Sequence, residues 1–193
     1  MKRIAPLKLL VASLLIAGFV VNCFERKEKN DDLTGLIAAV ALGSLQVSGS
    51  WNFYNGSRSY PGQTVPFPID NGTVKQGEFL ITNSFVSYFY SFAPADIYAG
   101  NIVEFDNNTH KLYYQITQHA TPANIGKFSG LYWTLFTDGF LYVCGDLNGN
   151  KATLDEVKAS TQKNDPTDMT TGCFLDPTGT PGTGFTWNRL EAR

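Results

Sequence analysis

Polarity near the amino terminus changes sharply. Lys2, Arg3 and Lys8 precede an apolar run over residues 9–21, and Asn22 and Cys23 lead straight into the charged stretch 25–29. A basic head, about a dozen apolar residues and an abrupt polar boundary form an export signal. The run falls short of the roughly twenty residues a bilayer-spanning helix needs. Residues 1–22 therefore read as a signal peptide. Residues 23–46 read as a tether, charged over 24–32 and small and apolar over 33–45. The apolar piece admits three readings: a short helix packed on the domain, an interfacial helix, or flexible linker.

From Val47 the pattern becomes short runs of β-branched and aromatic residues cut by turn residues. Strands are expected near 47–54, 63–69, 73–82, 84–92, 101–106, 111–117, 128–136 and 140–145, with a closing strand at 184–190. Asn55-Gly56, Pro61-Gly62, Asn71-Gly72 and Asn107-Asn108 mark turns. Asp138-Gly139 reads as a two-residue hairpin, because both residues tolerate positive φ. Phe85, Ser87, Phe89 and Ser91 alternate with Val86, Tyr88, Tyr90 and Phe92, so this strand has aromatic side chains on both faces. One helix is expected over 153–162, capped by Thr153, with Asp155 and Glu156 at its positive end. Residues 47–193 thus read as all-β: a small antiparallel barrel, closed to remove its edges, with one short helix before the last strand.

Phe19-Val20-Val21-Asn22-Cys23 resembles the lipobox of bacterial lipoproteins, with Asn22 the larger departure from the usual small residue. The resemblance implies that Cys23 is the lipidation site, carrying a diacylglycerol after cleavage of residues 1–22. Multiple acyl chains hold a membrane where one is marginal. The membrane is then a partner through the anchor, and the expected location is the bacterial envelope, at the outer membrane. With Cys23 so used, Cys144 and Cys173 remain as a pair, and in an oxidising compartment a pair implies a disulfide.

Composition narrows the partners. The chain has 15 Lys+Arg; without Lys2, Arg3 and Lys8, 12 remain against 17 Asp+Glu, a formal charge of −5. No basic stripe or basic helix is present, so no nucleic-acid partner is expected. Charged residues at 17% and aromatics at 13% exclude wholesale disorder and favour strands.

Two resemblances bear on the fold. Gly49-Ser50-Trp51 resembles the Gly-x-Trp signature of lipocalins. That likeness implies a barrel end plugged by Trp51, with Arg189 of the closing strand stacked over its ring as a cation on an indole face. The C-terminal third resembles a family of small leptospiral lipoproteins of unknown function. The matching segments include Leu131-Tyr132-Trp133-Thr134, Phe140-Leu141-Tyr142-Val143-Cys144, Gly172-Cys173 and Phe185-Thr186-Trp187. This likeness supports the Cys144–Cys173 pair and implies no activity.

Catalytic and metal chemistry find little support. Asp146-Leu147-Asn148-Gly149-Asn150 begins like a calcium loop, but Lys151 and Val157 stand where Gly and a carboxylate are required. It reads as a polar turn. His110 and His119 are the two histidines, each at a strand edge, too few for a zinc site. No Gly-x-Ser-x-Gly elbow exists. No cofactor, metal or enzymatic activity is expected. The aromatic cluster between Phe79 and Tyr98 reads as barrel core, or as the lining of a cavity. The expected role is binding, of a small hydrophobic ligand in the barrel or of a host or envelope protein on its loops. The rival is an enzyme inhibitor resembling membrane-bound lysozyme inhibitors, using a protruding loop near residues 177–184.

Overall fold

The computed structural model describes residues 43–62, 71–160, 162–176 and 178–193. The signal peptide, Cys23 and nearly all of the tether lie outside these residues, as does the strand expected at 63–69.

Eight antiparallel strands close into a barrel in simple sequential order. They are β1 (Gly49–Asn55), β2 (Lys75–Ile81), β3 (Phe85–Tyr90), β4 (Ala93–Asp106), β5 (Lys111–Gln118), β6 (Phe128–Leu135), β7 (Leu141–Gly145) and β8 (Asn188–Ala192). β1 pairs with β8, from Trp51 against Ala192 to Asn55 against Asn188. Every strand then has two neighbours, and no edge is left to pair with another chain.

The expected all-β barrel is present, with three differences in its elements. β4 begins at Ala93, eight residues before the expected strand. Its first half has small side chains and a proline, which hide the alternation; bulges after Ala99 and Ile102 interrupt it again. The closing strand starts later than expected, because residues 184–187 belong to the loop before it. The helix α1 is confined to Leu154–Lys158. Thr153 and Glu156 form a reciprocal capping box, so the start was readable; the end comes where Ala159 leaves helical geometry.

The Asp138-Gly139 turn also differs. Gly139 has φ +83° and Asp138 has no positive φ. The Phe136 N–H donates to the Phe140 carbonyl and the Gly139 N–H to the Phe136 carbonyl, so the loop is longer than a two-residue hairpin.

Strand alternation divides the apolar residues into two cores. Phe53, Phe79, Ile81, Val86, Leu112, Ile116, Leu131, Trp133, Val143 and Leu190 point inward. Tyr132, Phe136, Tyr142 and Cys144 point outward from β6 and β7 and are buried with Cys173 and Trp187. Part of the outer surface is therefore covered by a strap, residues 162–187. Cys144 and Cys173 are bonded, S–S 2.00 Å with Cα atoms 5.7 Å apart, and join β7 to this strap. The Trp187 indole N–H donates to the Asp165 carbonyl at 3.1 Å, and the Tyr142 hydroxyl to Asp138 at 2.7 Å.

One barrel end is closed by the segment just before β1. Leu45 and Val47 are fully buried in the inner core, so the domain takes in residues that the tether reading extended to 46. The Leu45 N–H donates to Asn83 at 2.9 Å and the Gln46 N–H to Asn107 at 3.0 Å, while the Asn107 amide donates to the Ser44 carbonyl at 2.8 Å. Two asparagines from the β2–β3 and β4–β5 turns thus hold a floor across the barrel. Wall, floor and strap all come from residues 43–193, within the compact unit Ala39–Arg193.

Gly49 and Trp51 lie at the floor end. The Trp51 indole N–H donates to the Val47 carbonyl at 3.1 Å, and a Cβ on Gly49 would strike the Trp51 ring. Arg189 does not join them, which corrects the expected stack. Leu190 points inward, so its neighbour Arg189 points outward, and its rung partner is Tyr54 rather than Trp51. Its guanidinium lies 4.9 Å from the Tyr54 ring centroid and 5.7 Å from that of Phe140. It donates to Glu191 at 3.0 Å and to the Gly72 carbonyl at 2.6 Å, and also to the Gly56 carbonyl. The fully buried cation is held because each of its three nitrogens donates to an oxygen and its plane lies near two ring faces. Arg189 therefore staples both flanks of the β1–β2 connection to β8.

Candidate functional site

The end opposite the floor is hollow. A cavity of about 720 Å³ opens at this end, lined by inward residues of the barrel and by loop and strap residues including Leu147, Asn150, Phe185 and Thr186. It exists because the inner wall changes character along the barrel. Near the floor, Ile81, Val86, Leu112 and Trp133 fill the interior. Toward the mouth two inward positions are glycine. A Cβ on Gly77 would strike the Phe53 ring, and one on Gly100 the Tyr114 ring. The two aromatics lie back against these bare backbone positions, which keeps the centre open.

Aromatic rings line the hollow. Tyr88 is sandwiched between Phe79, at 4.8 Å, and Tyr98, at 5.0 Å with planes 8° apart. Tyr90 meets Tyr88 and Phe53 edge to face at 6.0 and 5.6 Å, and Phe92 stacks on Tyr90 at 5.1 Å. Phe92 is 79% exposed and stands at the rim. Offset and edge-to-face pairs of this kind each contribute about 0.5–1.5 kcal/mol beyond area burial. The rings therefore hold one another in place without anything in the centre.

Polar side chains share the lining, among them Asn55, Gln76, Gln118, Asn150, Thr186 and Asn188. Tyr88, Tyr114 and Ser129 bring hydroxyls to the same lining. Burial pushes the phenols of Tyr88, Tyr90 and Tyr114 above their ordinary value, so all three are neutral near pH 7. His119 is at the mouth with its ring edge-on to Tyr98 at 4.9 Å, and its Nδ1 accepts from the Thr121 N–H at 2.8 Å. His110, the other histidine, is far along β5 toward the floor, its ring 5.7 Å from Trp133. The two do not converge, and no group of three His, Cys, Asp or Glu able to hold a metal occurs among the described residues.

Asp146 has a different place from a surface turn. The alternation that sends Val143 and Gly145 inward sends Asp146 outward, beneath the segment after α1. Its Oδ1 accepts from the Asn148 N–H at 2.9 Å and the Ser160 hydroxyl at 3.3 Å. Its Oδ2 is buried with no partner among the described residues. Burial raises its carboxyl above the ordinary value, against the lowering effect of those two donors. Asn148 and Asn150 add no second carboxylate, so the turn does not close as a calcium loop.

The sequence placed the aromatic run at the right point in the chain, with core and cavity both open as readings. The two space-making glycines carried no signal of their own, since each matters through the ring opposite it on the neighbouring strand. A comparison with protein-family models, with curated proteins and with solved structures finds no match to this chain.

Proposed function

We propose that this chain is a lipid-anchored envelope protein whose barrel holds a small hydrophobic ligand and performs no chemistry on it. The observation that carries this reading is the aromatic cavity of about 720 Å³, open at one end. It falls within the roughly 300–1,000 Å³ of small-molecule sites, and its wall combines aromatic rings with hydroxyl and amide side chains. The anchor at Cys23 rests on the lipobox-like sequence. The described chain enters at the floor, through Ser44 and Leu45, so the chain's entry does not obstruct the mouth.

Equilibrium titration of residues 43–193 with the neutral fluorophore N-phenyl-1-naphthylamine tests the reading. Saturable binding is expected, and Ile116→Trp, which puts an indole into the cavity, should abolish it while the circular dichroism spectrum is kept. If that variant does not fold, Leu131→Trp serves the same end. Absence of saturable binding, or binding indifferent to a filled cavity, would overturn the reading.

A second reading has one specific observation in its favour. The loop around residues 176–183 is braced from within: Asp176 accepts from the Thr178 hydroxyl at 2.7 Å and the Thr180 N–H at 2.8 Å, and the Thr183 hydroxyl donates to the Thr180 carbonyl at 2.7 Å. These donors hold the Asp176 carboxyl down at about 2. An ordered exposed loop is what an inhibitor of an extracytoplasmic enzyme such as lysozyme would present. Inhibition that is lost on Asp176→Ala and unaffected by Ile116→Trp would favour it.

A further inference from the structure

The cavity wall is distinctive for the charges it lacks. No Lys, Arg or Glu occurs among the described residues that line it. Apart from the neutral phenols, its titratable groups are Asp146 and His119. The Asp146 carboxylate is turned outward, behind the wall, toward Asn148 and Ser160. The His119 Nδ1 accepts a hydrogen bond from the Thr121 N–H. A carboxylate or sulfonate entering from water would leave its solvation behind and meet no cation, which is strongly unfavourable.

A cation fares no better. Its attraction would be to ring faces, and those are largely taken up. Both faces of Tyr88 are covered, by Phe79 and Tyr98, and Phe92 lies on Tyr90. Stacked rings turn their edges sideways. The edges of the Phe79–Tyr88–Tyr98 column carry partial positive charge and suit the face of another ring. One polar spot is formed by the hydroxyls of Tyr88, Tyr114 and Ser129, which line the cavity together with the amides of Asn55, Gln76, Gln118 and Asn188. Hydroxyls donate and accept, and so suit a ligand hydroxyl or carbonyl.

Resting on the ligand-binding reading above, we infer that the ligand is an uncharged, ring-bearing amphiphile with one hydroxyl or carbonyl set against Tyr88, Tyr114 and Ser129, and that fatty-acid anions and ammonium lipids are excluded. The wall discriminates by giving no counter-charge rather than by shape. A lipid chain with an ionised head would bind only if the head stayed outside the mouth, beyond the exposed ring of Phe92.

Matched probes test the charge rule on residues 43–193. N-phenyl-1-naphthylamine is compared with its 8-sulfonate, and diphenylhexatriene with its trimethylammonium derivative. The expected result is that each charged member binds about tenfold or more weakly than its neutral parent, which corresponds to one unpaired ion partly desolvated. A charged member that binds as tightly as its parent, and is expelled by Ile116→Trp or Leu131→Trp, overturns the uncharged class and leaves the ligand reading standing. Failure of both neutral probes to bind removes both. The polar spot is read separately with 2-naphthol and naphthalene. Tyr114→Phe should weaken 2-naphthol by about fivefold, the loss of one hydrogen bond, and leave naphthalene unchanged. Equal effects on the two would show that the hydroxyls do not orient the ligand.

Discussion

Asp146 shows how much one side chain's surroundings can differ from its sequence context. It follows Gly145 in a stretch of turn residues, yet it is 7% exposed with one carboxylate oxygen unpartnered. Its carboxyl is raised from a reference value of 3.8, first through burial. The sign of the stability effect follows. Above 3.8 the folded protein holds this proton more tightly than the unfolded chain, so this group's contribution declines as pH rises through the interval between the two values, and the charged form is penalised at neutral pH. Asp146→Asn keeps an oxygen to accept from Asn148 and Ser160 and carries no charge. It should stabilise by about 1 kcal/mol near pH 7, with the gain vanishing at about pH 3. Urea midpoints at the two pH values check this; an equal gain at both, or none at neutral pH, refutes it.

Arg189 makes the complementary point. Its type and position in the last strand fit a cation over an indole, and the likeness to lipocalins pointed to Trp51. Register placed Tyr54 opposite it, on the other face of the wall. Spacing along the chain states which residues share a face, but the rung on which β1 and β8 meet is set only when the barrel closes.

Among the elements, the strap over β6 and β7 depends most on a covalent link. Its own regular structure is slight; it is held by Trp187, by side-chain bonds from Asp165 and Asp168, and by the bridge from Cys173 to Cys144. The bridge closes a loop of 29 residues in sequence separation. Its removal by Cys144→Ser with Cys173→Ser should cost roughly 3.6 kcal/mol in the chain-entropy account. Hydrogen exchange should then accelerate over residues 162–187 before the β1–β5 wall. Uniform acceleration over strap and wall would show that the strap has no separate stability.

In the sequence both β3 and the run 131–136 carry large side chains on both faces. On β3 the outer Phe85 and Phe89 are half-buried. β6 is the strand covered on both sides, Leu131 and Trp133 within and Tyr132 and Phe136 under the strap. Alternation reports two faces; it does not say which of them a distant loop will cover.

For the molecule as a whole, barrel and anchor are separate propositions with separate tests. A full-length chain expressed in a bacterial envelope should take up labelled palmitate and enter the detergent phase on Triton X-114 partition. Cys23→Ala should do neither, while its folded portion keeps the near-ultraviolet signal of Trp133 and Trp187. A Cys23→Ala chain that still incorporates label refutes the anchor and leaves the cavity untouched.

Much of the local order was readable, apart from the first half of β4, the start of the closing strand, the end of α1 and the Asp138-Gly139 turn. Period-two runs, turn residues and the Thr153 cap need only near neighbours, and a chain of such strands has no stable form unless its edges meet, so a closed barrel followed. The scarcity of charge along the inward positions was likewise present in the amino acids. Hollowness was not. It depends on Gly77 facing Phe53 and Gly100 facing Tyr114 across neighbouring strands. The orphaned oxygen of Asp146, the partner of Arg189 and the floor held by Asn83 and Asn107 have the same origin. Each is a meeting of residues far apart in the chain, created only when the strands close in one register, and no local pattern encodes which register that will be.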